Sequence, residues 1–319
     1  MLFLGESDVR ALLPMREAIR LMRQVFERLA RGEAVNHPRR RLATPTGATL
    51  HYMAGSDGKY LGAKIYSTHP RTGARFVFLL YGAEDGELLA VIQANWLGQI
   101  RTGAVSGLAT QVMAREDADT VALIGSGFQA RSQLEATAAV RRLREARVWS
   151  RSAEHRAALA GEYGAKLGFP VVAVETAEAA VRGASIVITA TNAKEPVVEA
   201  DWVAAGTHVN AMGSNQAERR ELPGELIARA DWIAVDSREQ ARLESGDLLL
   251  AMGDAAWDDP RVVELAQVVA GQVRPRTRGG EITLFKSNGL AVEDVAAAGF
   301  VYERAQEAGV GRRVAPDHS

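Results

Sequence analysis

Apolar residues recur at two different spacings along the chain, and the change between them divides the sequence in two. The first helix is predicted over Pro14–Ala30, where apolar residues recur every three or four positions. Pro14 suits the first turn of a helix because proline has no N–H to donate there. From Thr120 onward, short apolar runs alternate with Ala-rich segments of helical length.

The runs that follow the first helix predict an antiparallel meander. Turn signals such as Asp57-Gly58 separate them, and these connections are too short for a crossover to a parallel strand. The predicted strands are Arg41–Thr44, Thr49–Met53, Leu61–Ser67, Phe76–Tyr81 and Leu88–Gln93. A second helix is predicted over Trp96–Ala114.

The second half predicts a parallel sheet covered by helices on both faces, since strands alternate with helices. The predicted strands there are Thr120–Ile124, Arg147–Ser150, Val171–Val174, Ser185–Thr191, Thr207–Met212 and Trp232–Val235. The fold class is therefore α/β: a Rossmann-type doubly wound parallel sheet plus a smaller α+β domain. We place the smaller domain at 1–115 and the Rossmann domain at 116–291. The C-terminal segment 292–319, with a predicted helix over Val292–Ala308, is expected to complete the first domain.

A glycine motif opens the Rossmann half. Gly125-Ser126-Gly127-Phe128-Gln129-Ala130 directly follows the apolar run that ends at Ile124. Gly125 allows a tight turn, Gly127 lets the backbone approach a pyrophosphate, and Ala130 lets the helix pack closely on the strand. The string alone is weak evidence, and a glycine turn in an unrelated α/β fold is the alternative. Its position between a predicted strand and a predicted helix favours a dinucleotide site.

The residues that follow the next predicted strand indicate whether NAD(H) or NADP(H) is bound. NAD-binding proteins usually carry an Asp or Glu there, which binds the ribose 2′-hydroxyl. This chain has Ser150-Arg151-Ser152 instead. Arg151 can bind a 2′-phosphate, with Ser150 and Ser152 as hydroxyl donors. We therefore expect NADP(H) to be preferred and NAD(H) to be possible, although Arg151 could also be an exposed loop residue.

Composition narrows the class of protein. A length of 319 residues fits two domains, and a net charge of −1 gives no field that would attract nucleic acid or a membrane surface. The chain has no cysteine, which excludes disulfides and thiolate catalysis. It shows neither a signal peptide nor an apolar run of transmembrane length. We expect a soluble cytoplasmic enzyme.

Three cations stand out in the first domain. Lys64 falls inside a strand-like run, Arg41 starts the first predicted strand, and Arg101 lies among small residues in the second helix. Together they suggest an anion site, although each alone could be a solvated side chain. The histidines lack a metal-ligand spacing, so no metal site is predicted. Asp294, at the start of the last helix, fits either a residue that complements the helix dipole or a functional one.

At this point the sequence resembles the ornithine cyclodeaminase/mu-crystallin family along nearly its whole length. Several separate blocks in the family's order are more specific than any one motif. The blocks are Gly62-Ala63-Lys64, Ile100-Arg101-Thr102-Gly103-Ala104, Ile124–Ala130, Thr189-Ala190-Thr191, Asn210-Ala211-Met212-Gly213-Ser214-Asn215, Arg220-Glu221-Leu222 and Ile282-Thr283-Leu284-Phe285-Lys286-Ser287-Asn288-Gly289.

The resemblance implies that the first domain binds a small carboxylate substrate and forms a homodimer through its sheet, while the second binds the nicotinamide cofactor. It implies that Arg41, Lys64 and Arg101 hold the substrate carboxylate. It also implies that Thr191, Met212, Gly213 and Ser287 line the cofactor and that Thr102 contacts it from the first domain.

One departure from the family pattern separates its activities. Asn215 stands where cyclodeaminases and the family's alanine dehydrogenase carry an Asp. Asparagine forms hydrogen bonds but cannot accept a proton. The resemblance therefore favours an NAD(P)H-dependent reductase of a small imino or keto carboxylate, in which Lys64, or a water that it orients, protonates the nitrogen. The alternatives are an ornithine- or lysine-type cyclodeaminase and an NADPH-dependent small-molecule binding protein.

Overall fold

The computed structural model describes residues 1–314, which belong to two compact units. One unit contains Met1–Arg101 and the chain from Gly289 onward, and the other contains Thr102–Asn288. The predicted first domain ends at residue 115, after the second helix, whereas the two units divide inside that helix. Of the predicted C-terminal segment 292–319, residues 315–319 lie outside the described residues.

The helices and strands have the following bounds. The strands are β1 (Leu2–Leu4), β2 (Val35–Ala43), β3 (Thr49–Ser56), β4 (Tyr60–His69), β5 (Gly73–Gly82), β6 (Leu88–Gln93), β7 (Thr120–Ile124), β8 (Glu145–Trp149), β9 (Val171–Ala173), β10 (Ile186–Thr189), β11 (His208–Ala211), β12 (Trp232–Val235), β13 (Val262–Glu264), β14 (Thr283–Lys286) and β15 (Arg312–Arg313). The α-helices are α1 (Glu6–Leu12), α2 (Met15–Ala30), α3 (Asn95–Met113), α4 (Phe128–Val140), α5 (Ala153–Leu167), α6 (Ala177–Val181), α7 (Gly224–Arg229), α8 (Arg238–Glu244), α9 (Gly246–Met252), α10 (Leu265–Val269) and α11 (Ala291–Ala308). Single 3₁₀ turns cover Ala200–Trp202 and Gly253–Trp257.

The first unit is built on a seven-stranded sheet in the order β15-β1-β6-β5-β4-β3-β2. Strands β2 to β6 form the antiparallel meander that the short turns predict, and β1 joins parallel to β6. Helix α11 packs on β2 to β5 and against the amphipathic α2. The first half of α11 is buried, so the core lies between this helix pair and one face of the sheet.

A β-bulge changes the course of β2. The strand begins at Val35, six residues before the predicted start, and its register with β3 shifts between His37 and Arg40. A bulge accommodates Pro38, because the residue there does not have to donate to the ladder. Pro38 and Arg39 are both buried, while Arg41 is exposed.

The second unit is an all-parallel eight-stranded sheet in the order β13-β12-β14-β11-β10-β7-β8-β9. This confirms the doubly wound fold class. The central strand β7 is buried along its whole length, as expected for a strand covered on both faces. The chain runs outward from β7 through β8 and β9, then returns to β10 on the other side of β7. The carboxyl ends of β7 and β10 are therefore the switch point where such sheets bind ligands.

Several short elements escape prediction. Strands β1, β13 and β15 have only two or three residues, too few to show a period. Helix α1 has seven residues, and its first residue, Glu6, accepts hydrogen bonds from the backbone N–H groups of Asn95 and Trp96. Its place thus depends on a contact about 90 residues away in the chain, which local sequence cannot reveal.

Candidate functional site

The second unit has a pocket of about 980 Å³ at the switch point of its sheet. Small-molecule sites commonly have volumes of roughly 300–1,000 Å³. Most of the predicted cofactor residues line it: Gly125, Gly127, Phe128, Gln129, Ser150, Arg151, Ser152, Thr191, Met212 and Gly213. Segments that lie far apart in the sequence therefore converge on one cavity.

The glycine motif shapes the middle of the pocket. Gly125 has φ +118°, and a Cβ atom there would lie 2.4 Å from the carbonyl oxygen of Ala190. Helix α4 starts after Gly127, whose own Cβ position has no atom within 4 Å and opens on the pocket. A helix N-terminus beside open space suits the phosphates of a dinucleotide. Ala130 is fully buried in the core of the unit, which fits its predicted part in close helix packing rather than ligand contact.

The two serines after β8 hold the turn in shape. The Ser126 hydroxyl donates to Ser150 at 2.8 Å, and Ser150 donates to the Ser152 carbonyl at 3.0 Å. The Ser152 hydroxyl oxygen accepts the His155 N–H at 3.1 Å and so caps α5. Arg151 is exposed and donates to the Asn192 side chain at 3.4 Å. The guanidinium of Arg151 is thus the charge that this turn offers to a ligand.

Besides Ala130, three predicted residues of the second unit lie outside the lining of this pocket. Thr102 belongs to this unit and not to the first, and its carbonyl accepts the side-chain amide of Gln133 at 3.2 Å. The hydroxyl of Ser287 donates to Asp236 at 3.1 Å. Asn215 is half-buried, in the loop after β11.

The first unit contains a buried cluster of charges. Lys64 Nζ lies 2.9 Å from Asp294 Oδ1, and Arg101 Nε lies 3.2 Å from the same oxygen. Arg101 Nη1 lies 2.6 Å from Glu293. Both acids are fully buried, and Lys64 is 3% exposed. Lys64 and Arg101 are therefore brought together as predicted, but beside two acids at the start of α11.

Burial and charge set the protonation of this cluster. Burial lowers the pKa of Lys64 to about 8, with Asp294 opposing the shift and Arg101 adding to it. Burial also lowers the pKa of Arg101, but the two acids raise it by more, so that the guanidinium stays charged. Lys64 can therefore give up a proton near neutral pH, whereas Arg101 remains a fixed positive charge.

The third predicted cation, Arg41, lies apart from this buried cluster. Arg41 is exposed, whereas Arg39 is buried and donates to Met53 Sδ at 3.6 Å. Met53 is paired with Lys64 across β3 and β4, and the charge of Arg39 contributes to the lowered pKa of Lys64. Arg39 and Arg41 lie on the same face of β2 because they are two residues apart, but Arg41 pairs with His51 nearer the end of the strand and is exposed there.

Sequence reasoning missed Arg39 and Glu293 and left Asp294 undecided. Glu293 and Asp294 stand side by side in the otherwise apolar first half of α11, and that contrast is the signal that marks them. Within residues 1–314 no three His, Asp or Glu side chains are arranged to hold a metal ion. None of the helices in the same range is long and apolar enough to cross a membrane.

The model of the ornithine cyclodeaminase/mu-crystallin family matches residues 1–309. The delta(1)-pyrroline-2-carboxylate reductase of Bacillus cereus is 34% identical over 324 residues, which cover 98% of this chain and 99% of the relative.

Solved structures of similar proteins have the same fold along nearly the whole chain. A delta(1)-pyrroline-2-carboxylate reductase of Thermococcus litoralis, in complex with NADH and L-proline, has a TM-score of 0.93 and 36% identity over 98% of this chain and 100% of that one. An archaeal alanine dehydrogenase dimer with bound NAD has a TM-score of 0.93 and 31% identity over 99% of both chains.

Proposed function

Because the chain belongs to the ornithine cyclodeaminase/mu-crystallin family, we propose that it is an NAD(P)H-dependent oxidoreductase that reduces a small imino carboxylic acid to an amino acid. The observation that carries the proposal is the buried Lys64, held by Asp294 beside Arg101, with its pKa lowered to about 8. Such a lysine combines two properties that the reaction requires: a positive charge for a carboxylate and a proton that it can release.

In this proposal the cations of the first unit bind and orient the substrate carboxylate. A lysine ammonium has three N–H donors, and the bond to Asp294 uses one. Arg101 offers a planar fork that suits a carboxylate, and we assign the third cationic position to Arg39 instead of Arg41. The acids hold the two cations in place, which lowers the cost of burying them.

The reaction adds one hydride to the imine carbon and one proton to the nitrogen, so that C=N becomes CH–NH. When bound in the pocket of the second unit, the reduced nicotinamide supplies the hydride. Lys64, or a water that it orients, supplies the proton and is left neutral, ready to be reprotonated from solvent. Asn215 cannot accept a proton, so proton abstraction from a substrate ammonium is not part of its role. We therefore rank reduction above cyclodeamination.

We also propose that NADPH is preferred over NADH. Arg151 is the support for this preference, because the turn after β8 presents a guanidinium and no carboxylate. Charge-assisted hydrogen bonds to a 2′-phosphate would form there.

Assembly as a homodimer in the cytoplasm belongs to the same proposal. The face of the first unit's sheet that lies opposite α11 exposes several large apolar side chains: Leu42, Leu50, Tyr52, Leu61 and Val77. A contiguous apolar surface of this kind favours a protein interface. Val77→Lys should yield monomers in sedimentation, with unchanged secondary structure; a variant that stays dimeric would contradict this interface.

The experiment that tests the function follows NADPH absorbance during incubation with delta(1)-pyrroline-2-carboxylate, and then with pyruvate plus ammonia. We expect oxidation of NADPH with the cyclic imine and a loss of at least a hundredfold in kcat/KM for Lys64→Met. Arg75→Met, a change at an exposed cation on the neighbouring strand, is the control. Ammonia release from ornithine without added cofactor would instead support the cyclodeaminase alternative.

A further inference from the structure

Beneath the pocket of the second unit, Glu221 ties together two of the segments that line it. Its Oε1 accepts the backbone N–H and the hydroxyl of Thr191, both at 2.7 Å. Its Oε2 accepts the hydroxyl of Thr189 at 2.9 Å and the backbone N–H of Gly213 at 2.7 Å. Each carboxylate oxygen thus has two neutral donors, which favour the ionised form, although burial as the largest effect raises the pKa of Glu221.

Two more charges are buried next to Glu221. Lys286 Nζ lies 2.8 Å from Asp247 Oδ2 and donates to the Ser214 carbonyl at 2.6 Å. Asp247 Oδ1 accepts the backbone N–H groups of Glu221 and Leu222. Lys286, Asp247 and Glu221 are all fully buried. One cation therefore faces two carboxyl groups: Lys286 lowers the pKa of Glu221, and Asp247 raises it.

We propose that Glu221 is ionised and that its charge sets the relative affinity of the pocket for the oxidised and reduced forms of the cofactor; this rests on the proposed function. The oxidised nicotinamide ring carries a positive charge that the reduced ring lacks. A buried negative charge is weakly screened, so it stabilises the oxidised form selectively. A pocket with that preference makes the reduced cofactor a stronger hydride donor than it is in water.

Glu221 has a second effect that must be separated from the first. Through its hydrogen bonds it positions Thr191 and Gly213, and a loss of these bonds would weaken both redox forms of the cofactor alike. Only the charge distinguishes the two forms. The ratio of their dissociation constants therefore isolates the electrostatic effect from the structural one.

The test measures dissociation constants of NADPH, NADP⁺, NADH and NAD⁺ by protein fluorescence on the full chain. For Glu221→Gln we expect the affinity for the oxidised form to fall relative to the reduced form by on the order of tenfold, the effect of one charge acting over roughly a nanometre at an effective dielectric constant of about 20. Glu221→Asp keeps the charge and should keep the ratio. Glu195→Gln is the matched control, because it removes a carboxylate at the same pocket whose side chain is 82% exposed, so that water screens its charge.

An unchanged ratio in Glu221→Gln, or an equal loss of affinity for both forms, would overturn the inference. If Glu221→Gln does not fold, Asp247→Asn removes a carboxylate from the same buried group and must shift the ratio in the same direction. Failure of the unchanged protein to bind any of the four nucleotides would overturn the proposed function itself. Binding by the unchanged protein with no shift in the variants would overturn only the role of Glu221.

Discussion

Gly98 offers a way to displace Lys64 without removing it. A Cβ atom at Gly98 would lie 2.7 Å from Lys64 Nζ, closer than nonbonded contact allows. The next nearest atom, Lys64 Cε, is 3.8 Å away, so Gly98→Ala conflicts only with the end of one flexible side chain. The ammonium must move by several tenths of an ångström, at the expense of its 2.9 Å bond to Asp294. A hydrogen bond between charged groups contributes about 1.5–3 kcal/mol, so kcat/KM for imine reduction should fall by about ten- to a hundredfold.

The stability of Gly98→Ala should change less than its activity, because alanine in a helix offsets part of what the weakened bond to Asp294 costs. Replacing glycine by alanine inside a helix gains up to about 1 kcal/mol. Gly161→Ala, on the exposed side of α5 with no atom within 4 Å of the new Cβ, is the matched control. Gly161→Ala should unfold at or above the temperature of the parent and keep its activity, whereas Gly98→Ala should unfold somewhat below that temperature and lose activity. Parental kcat/KM in Gly98→Ala would refute the assignment of Lys64 as the group that acts on the substrate.

Three further predictions follow from charges in the structure. Because Lys64 donates its proton with a pKa of about 8, kcat/KM for imine reduction should fall about tenfold per pH unit above pH 8. Asp294→Asn should move this inflection to lower pH, since Asp294 raises the pKa of Lys64. A pH profile of kcat/KM that stays flat to pH 10 would contradict the role of Lys64 as proton donor. Burial lowers the pKa of His208 from 6.5 to about 3. Between these two pH values His208 is therefore protonated in the unfolded chain and neutral in the folded chain. The stability that His208 contributes is therefore present above pH 6.5 and lost as the pH falls toward 3, by up to about 5 kcal/mol. Urea unfolding at pH 7 and pH 5 should show this dependence of stability on pH, and it should be smaller in His208→Asn. Arg151→Asp should raise the KM for NADPH about ten- to a hundredfold and leave that for NADH unchanged or lower; an equal rise for both would contradict the 2′-phosphate contact.

The architecture was largely predictable because its long elements carry clear periods. Helix α2 begins one residue from its predicted start, and strands β7 and β12 have their predicted bounds. Elements of two or three residues, such as β13, escaped because their place depends on pairing with distant strands rather than on local pattern. The start of β2 was missed for a different reason. Proline is disfavoured inside a strand because it has no N–H to donate, and the bulge that accommodates Pro38 cannot be inferred from the local sequence.

The site was predictable only where chemistry and local sequence coincide. The glycine motif and the turn around Arg151 lie within about 30 residues of each other, and both line the pocket. The partners of Lys64 could not be found in this way, because Asp294 is 230 residues away in the chain. Choosing between Arg39 and Arg41 required the burial at each point along β2, since both side chains lie on the same face and only Arg39 is covered.

The buried cations explain why the chain returns to the first unit after the Rossmann fold. Lys64 on β4 and Arg101 on α3 are both buried, and a buried cation without a counter-charge destabilises a protein by several kcal/mol. The strands and helices of Met1–Arg101 surround these cations, but their carboxylate partners, Glu293 and Asp294, come from α11. Both acids lie in the first turn of that helix, where its dipole favours negative charge. The same helix also covers the apolar face of the sheet. The first unit therefore needs α11 twice, once to complete its core and once to neutralise the charges that the proposed chemistry requires.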